Sequence, residues 1–292
     1  MYDTILVPTD GSDGAEAAAR HGLNLATAFD SQIHLLSVVD ERSYSSALAD
    51  LNPSIGEQRE VFEQQATEAV GRLEELFSDL SVTCHTAVEH GIPHEAIRSY
   101  IAEHDIDLVS MGTHGRTGLD RLLLGSVTER VVRTSDVPVL TTRHEPDDRS
   151  NYDRILIPTD GSESATPAVD HGIGIAEQFD ATVHALSVID TTAFAVAYDG
   201  GPGIQTLLDT LEEGCKQAVA EVEDACENHN LDVVTEVVRG TPYRTIQEYV
   251  DDEGIDLITM GTHGRTGLER YLIGSVTERI VRTSDVPVLT VR

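Results

Sequence analysis

Two tandem copies of a doubly wound α/β domain are what this sequence predicts, and two observations carry the prediction. First, the chain is written twice: "YDTILVPTDGSDGAEAAARHG" from Tyr2 returns as "YDRILIPTDGSESATPAVDHG" from Tyr152. The offset is 150 residues there and 149 from Gly91 and Gly240 onward, and the closing stretches Gly112–Arg143 and Gly261–Arg292 agree at 27 of 32 positions. A period that long is a duplicated domain rather than a solenoid repeat. Second, short apolar runs alternate with helical patterns inside each copy, the order expected of a parallel sheet covered by helices on both faces.

In the first copy, "TILVP" reads as a strand and "GAEAAARHGLNLATAF" as the helix after it. "QIHLLSVV" is a second strand, followed by a variable stretch and a long helix over "EQREVFEQQATEAVGRLEELF". "VTCHTAV" is the third strand, and "GIPHEAIRSYIAEH" opens a helix with Pro93 near its first turn, where a missing N–H costs little. "DLVSMG", "SVTERVVRTS" and "VPVLTTR" complete the unit as strand, helix and strand. Domains are expected over residues 1–143 and 152–292, joined by the acidic, proline-containing linker 144–151. The strand residues His34 and His184 read as packed rather than ligand-bearing.

Composition narrows the function. The 292 residues are 40% apolar, enough for packed cores, and no run approaches 18 apolar residues. The N-terminus enters a strand pattern at once, with no charged or apolar leader, so we expect a cytoplasmic chain without a membrane partner. The formal net charge is −31, and Lys216 is the only lysine. Such a surface stays soluble where salt screens its self-repulsion, as in a halophilic cytoplasm, and it disfavours nucleic acid as a partner. Cys84, Cys215 and Cys226 show no metal or redox spacing.

Ligands of doubly wound sheets bind beyond the C-terminal ends of the strands, where strand order reverses. The loops that matter are therefore "VPTDGS" after the first strand and "MGTHGRTGLDRLLLGS" after the fourth. Neither is a GxxxxGK[ST] phosphate loop, and the GxGxxG dinucleotide pattern is absent after the first strand. What recurs is G-x2-G-x9-G-S: Gly112, Gly115, Gly125 and Ser126, then Gly261, Gly264, Gly274 and Ser275. Two readings fit a single copy equally. Backbone N–H groups freed of side chains, leading into a helix N-terminus, would cradle phosphates. Alternatively these are turn glycines, with Ser126–Glu129 and Ser275–Glu278 acting as capping boxes.

With "ILVPTDGS", "SVVD", the glycine pattern and "SDVPVL" in both copies, the chain resembles the universal stress protein family in tandem-domain form, specifically its ATP-binding branch. The resemblance implies a Rossmann-like sheet of order 3-2-1-4-5 and a nucleotide (ATP, ADP or AMP) in each domain, in a stress-response regulatory role. By motif position, Asp10 and Asp160 correspond to the acidic residue at the adenosine end, and Pro8, Thr9, Pro158 and Thr159 line it. Val38 and Val188 match the position contacting adenine through its backbone. The glycines and Ser126 or Ser275 match the ribose and phosphate cradle, followed by Val127, Thr128, Val276 and Thr277. His114 and His263 lie inside the loop.

Arg116, Arg121, Arg265 and Arg270 would offset phosphate charge, and Mg²⁺ or Mn²⁺ bridging the phosphates is compatible with the scarcity of protein cations. No catalytic residues are assigned, since no positioned base or nucleophile set is visible. Slow ATP hydrolysis and a ligand-free interaction scaffold are the alternatives. The copies diverge over residues 41–60 and 191–208, which suggests unequal access or an unidentified protein partner. Pairing of the last strands, Val137–Thr141 with Val286–Thr290, would make one chain mimic a dimer, and further homodimers are compatible with the sequence.

Overall fold

The computed structural model describes residues 1–43, 54–78, 82–115, 124–143, 151–192, 202–264 and 273–292. The chain forms two compact units, Met1–Ser150 and Asn151–Arg292. In the first unit the elements run β1 (Thr4–Pro8), α1 (Asp13–Phe29), β2 (Gln32–Asp40), a short 3-10 turn (Glu41–Ser43), α2 (Ser54–Phe77), β3 (Cys84–Gly91), α3 (Pro93–Glu103), β4 (Leu108–Gly112), α4 (Ser126–Thr134) and β5 (Val139–Thr142). The strands are ordered β3-β2-β1-β4-β5, and every pair is parallel. This is the order the resemblance implies. It puts the reversal of direction between β1 and β4.

Burial follows from that order. The central strands β1 and β4 are covered on both faces and read as near-continuous apolar runs, whereas the edge strand β3 has only half-buried and exposed positions. The starts of β1 and β4 are locked by one side chain, Asp107, whose Oδ2 accepts hydrogen bonds from the backbone N–H of Asp3 (2.8 Å) and Thr4 (2.9 Å). Helix α1 is held across both strands by the Ser110 hydroxyl, which donates to the Ala18 carbonyl at 2.7 Å. The helix ends at Asp30, whose left-handed backbone (φ 55°) lets the chain turn into β2. Tyr2 is fully buried edge-on against Phe29 and closes that end of the core.

The second unit repeats the scheme as β6 (Arg154–Pro158), α5 (Thr166–Phe179), β7 (Thr182–Asp190), α6 (Pro202–Asn228), β8 (Val233–Gly240), α7 (Pro242–Glu253), β9 (Leu257–Gly261), α8 (Ser275–Thr283) and β10 (Val288–Val291). Its strands are ordered β8-β7-β6-β9-β10, again all parallel. Asp256 repeats the lock of Asp107 on Asp153 and Arg154. One element differs: α5 begins at Thr166, three positions later than the start of α1 in the aligned copy. Pro167 stands where the first copy has Ala17 and has no N–H for the carbonyl of Glu163, so the opening turn of α1 cannot close here.

Histidine is used as a core residue. His34 and His184 are buried in β2 and β7, each with Nδ1 2.9 Å from a tyrosine hydroxyl, Tyr100 and Tyr249 respectively. His21 is buried in α1, and burial pushes its pKa down to about 4. A histidine kept neutral by the fold but ordinary in the unfolded chain lets the unfolded chain bind the proton first. Its contribution is intact above about pH 6.5 and is lost as pH falls toward 4. For His21 the full effect is about 3 kcal/mol. Relief of carboxylate repulsion acts with the opposite sign, so the comparison must be with a variant at high salt. Urea midpoints at pH 7.5, 6 and 4.5 should fall more steeply for the wild type than for His21→Gln; parallel profiles would contradict this account.

Candidate functional site

The cleft sits where β1 and β4 end. After Pro8 the chain turns sharply, and three short-range hydrogen bonds set its path. Thr9 Oγ1 accepts from Gly11 N (3.1 Å), Asp10 Oδ1 from Ser12 N (3.0 Å), and Ser12 Oγ from Ala15 N (3.3 Å). Ser12 is thus the N-cap of α1, and Asp10 is not. Anchored through Oδ1, the Asp10 carboxylate turns its Oδ2 toward Gly115, where a Cβ would collide with it. Gly112, at the end of β4, is pressed as closely: a Cβ there would lie 2.6 Å and 2.7 Å from the Gly14 carbonyl carbon and oxygen. Glycine is needed at Gly112 because the two loops pass at backbone distance, and at Gly115 because the anchored Asp10 carboxylate fills the space of a Cβ.

The first turn of α4 is tied back to the same strand. Thr128 Oγ1 donates to the Gly112 carbonyl at 2.7 Å, Gly125 N donates to the Thr113 carbonyl at 2.8 Å, and Thr113 N donates to the Thr142 carbonyl at 2.8 Å. These bonds overturn the capping-box reading. The N-cap of α4 is Gly125, with no side-chain cap hydrogen bond; Ser126 is the first helical residue and is exposed. Glu129 turns away to Arg133 at 2.8 Å. Helix α8 repeats this, with Gly274 as N-cap, no side-chain cap and Glu278 beside Arg282. Among the described residues, neither helix start therefore has a side-chain cap on its N-terminal N–H groups.

All eleven residues singled out in the first unit border one cavity of about 250 Å³. Pro8, Thr9 and Asp10 come from the end of β1, and Val38 from β2. Gly112, His114 and Gly115 follow β4, with the His114 Nδ1 held 2.9 Å from the Thr113 hydroxyl. Gly125, Ser126, Val127 and Thr128 form the α4 side. Five further lining residues escaped the sequence reading: Ala15, Leu36, Pro93, Ile97 and Met111. Leu36 was reachable, since it lies two residues before Val38 on the same strand face. Pro93 and Ile97 come from α3, and nothing local reports how that helix docks.

The second unit reproduces this geometry except at the helix start, where Ala165 is the N-cap of α5 and no side chain caps it. Thr159 and Asp160 accept from Gly161 and Ser162 at 3.1 and 3.0 Å, after Pro158 at the end of β6. A Cβ on Gly264 would lie 2.8 Å from Asp160 Oδ2, and Thr277 Oγ1 donates to the Gly261 carbonyl at 2.8 Å. His263 pairs with Thr262, Gly274 N donates to the Thr262 carbonyl, and Val188 sits in β7. Ser275 and Val276 open α8. Because α5 starts late, Ser164 replaces the glycine contact of the first copy with a hydroxyl bond to the His263 carbonyl at 3.2 Å.

The rims differ more. In the first unit His94, next to Pro93, contacts Arg130 at 3.3 Å, and its pKa is lowered by burial and then by Arg130. In the second unit the same place holds Tyr243, with the Arg279 guanidinium over its ring at 4.3 Å and Arg244 Nε donating to its hydroxyl at 2.9 Å. That hydrogen bond lowers the phenol pKa. Arg116, Arg121, Arg265 and Arg270 lie outside the described residues, as do 44–53 and 193–201 of the divergent segments.

The universal stress protein family model matches residues 1–143 and 151–292. The chain belongs to the universal stress protein family. A universal stress protein of Methanocaldococcus jannaschii is 39% identical over 141 residues, which is 48% of this chain and 82% of that one. One from Synechocystis is 26% identical over 306 residues, 99% of both chains, so the tandem arrangement has a full-length counterpart. The crystal structure of a universal stress protein from Archaeoglobus fulgidus superposes with a TM-score of 0.72 at 21% identity, covering 99% of this chain and 98% of that one, a likeness of fold.

The two serines of this family motif should behave differently. Ser12→Ala removes a cap and should cost about 1 kcal/mol in urea unfolding, whereas Ser126→Ala should stay within about 0.5 kcal/mol. Equal costs would restore the capping role to Ser126.

Proposed function

We propose that each unit is a nucleotide-binding site, with ATP or its lower phosphates as ligand, and that the chain works as a stress-response regulator through occupancy of those sites. The observation that carries this reading is the close approach of the Asp10 carboxylate to the Gly115 backbone in the cavity that the start of α4 also borders. A carboxylate fixed by Ser12 N faces glycine backbone, and an α-helix begins beside it with no side-chain cap. Carboxylates suit ribose hydroxyls, and exposed backbone N–H groups at a helix start suit phosphates. The apolar wall formed by Val38, Leu36 and Ile97 suits a flat base.

A divalent cation such as Mg²⁺ or Mn²⁺ would ride chiefly on phosphate oxygens. Among the described residues no group of three or more His, Cys, Asp or Glu side chains could hold one. The ligand set of this reading is thus backbone donors, one carboxylate per unit and apolar contacts. It asks for binding and release, with no proton transfer assigned to any side chain.

Purification in high salt followed by denaturation and mass spectrometry should release adenine nucleotide from the wild type. Gly115→Val and Gly264→Val should each remove about half, and together all of it, because the added side chain meets the carboxylate of Asp10 or Asp160. Nucleotide retained in the double variant, or a wild type that neither carries nor takes up nucleotide on titration, would refute the reading.

A further inference from the structure

The first unit gathers imidazoles where the second has a single one. His34 in β2 bonds to Tyr100 of α3. His85 is its register partner on β3, with ring centroids 4.7 Å apart. His104, the C-cap of α3, brings its ring to 5.4 Å from His34 and stacks on Tyr100 at 4.0 Å. In the second unit the pair His184–Tyr249 is kept, but the register partner of His184 is Val234. Glu253 stands in the aligned place of His104.

The remaining groups around each pair sharpen the contrast. In the first unit Gln32, neutral, holds His85 Nε2 at 3.2 Å, and Glu89 of β3 is the carboxylate that bears on Tyr100. In the second, Glu253 and Arg154 act on His184, and Glu236 and Glu253 on Tyr249. A proton gained there meets a carboxylate; a proton gained in the first unit meets other imidazoles.

Helix α3 connects this cluster to the cavity. Ile97, Tyr100 and His104 are spaced three and four residues apart and so share one helix face, and Pro93 and Ile97 are cavity wall. We propose that the three histidines form an acid-sensitive latch on α3. As the imidazoles take up protons, like charges push Tyr100 and His104 away from β2 and β3 and loosen the cavity wall of the first unit alone.

Both the 4.7 and the 5.4 Å ring spacings run to His34, so like charge meets like once His34 is protonated, and burial together with its neighbours His85 and His104 pushes its pKa down to about 4. The consequence for ligand, release from the first site and retention in the second, rests on the nucleotide-binding reading.

Hydrogen exchange on the full, ligand-free chain at pH 7.5 and 4.5, corrected for intrinsic rates, reads the latch without any ligand. Protection of α3 should fall roughly tenfold more than that of α7. The variant His85→Val/His104→Glu, which carries the second unit's residues, should lose that difference. Helices α3 and α7 responding alike, or a variant that keeps the α3 response, would overturn the latch. In a Gly264→Val background, ATP affinity of the remaining site should weaken roughly tenfold between the same pH values. Affinity unchanged there, with α3 loosened, would overturn the coupling to the cavity. A chain that binds no ATP at either pH refutes the functional reading instead, while the exchange result decides the latch by itself.

Discussion

The close passage of two loops at the sheet's point of reversal is the constraint on which the site depends. Parallel order puts the ends of β1 and β4 side by side, and Asp107 at their far ends fixes how they slide. The chain leaving β1 must then share a narrow space with the chain leaving β4. Gly14 and Gly112 meet backbone to backbone, and Asp10 meets Gly115. Side chains at those glycines would spread the loops and remove the backbone-walled end of the cavity. The glycine spacing is therefore a packing requirement first, and in the proposed function the same atoms would also meet the ligand.

The second unit shows which parts of this arrangement are held tightly. Pro167 delays α5, yet Ser164 reaches the His263 carbonyl, and the Asp160–Gly264 approach persists. The helix start varies while the carboxylate and glycine stay. At the rim the copies diverge, with His94 and Arg130 in one and an arginine-flanked tyrosine in the other. In the core beneath α3 and α7 they diverge again, as His85 and His104 against Val234 and Glu253. The shared atoms form the cavity and the differing ones surround it, which is the pattern expected if two like sites answer to different conditions.

Much of this was legible in the chain itself, for physical reasons. Strands β1 and β4 are buried on both faces, so their apolar runs are near-continuous, and the duplicate copy repeated every strand and α-helix. The loops after them could be located because parallel sheets bind at strand C-terminal ends. Ser126–Glu129 stood as an open alternative because a capping box is a purely local pattern. The real cap was decided by Thr128 and Gly125 bonding to the β4 end, contacts made across 16 and 12 residues. Pro93 and Ile97 were missed for a related reason: α3 reaches the cavity through tertiary docking on β2. The late start of α5 was written in Pro167.

A double-mutant cycle on Asp10 and Gly115 tests the central claim most directly. If the glycine is required because the anchored carboxylate occupies the space of its Cβ, Gly115→Ala should destabilise the protein by roughly 1–3 kcal/mol. In an Asp10→Ala background that cost should shrink to within about 0.5 kcal/mol, leaving a coupling between the two positions. Additive costs, with Gly115→Ala equally damaging in both backgrounds, would contradict the account. The glycine would then serve something other than the close passage of the two loops.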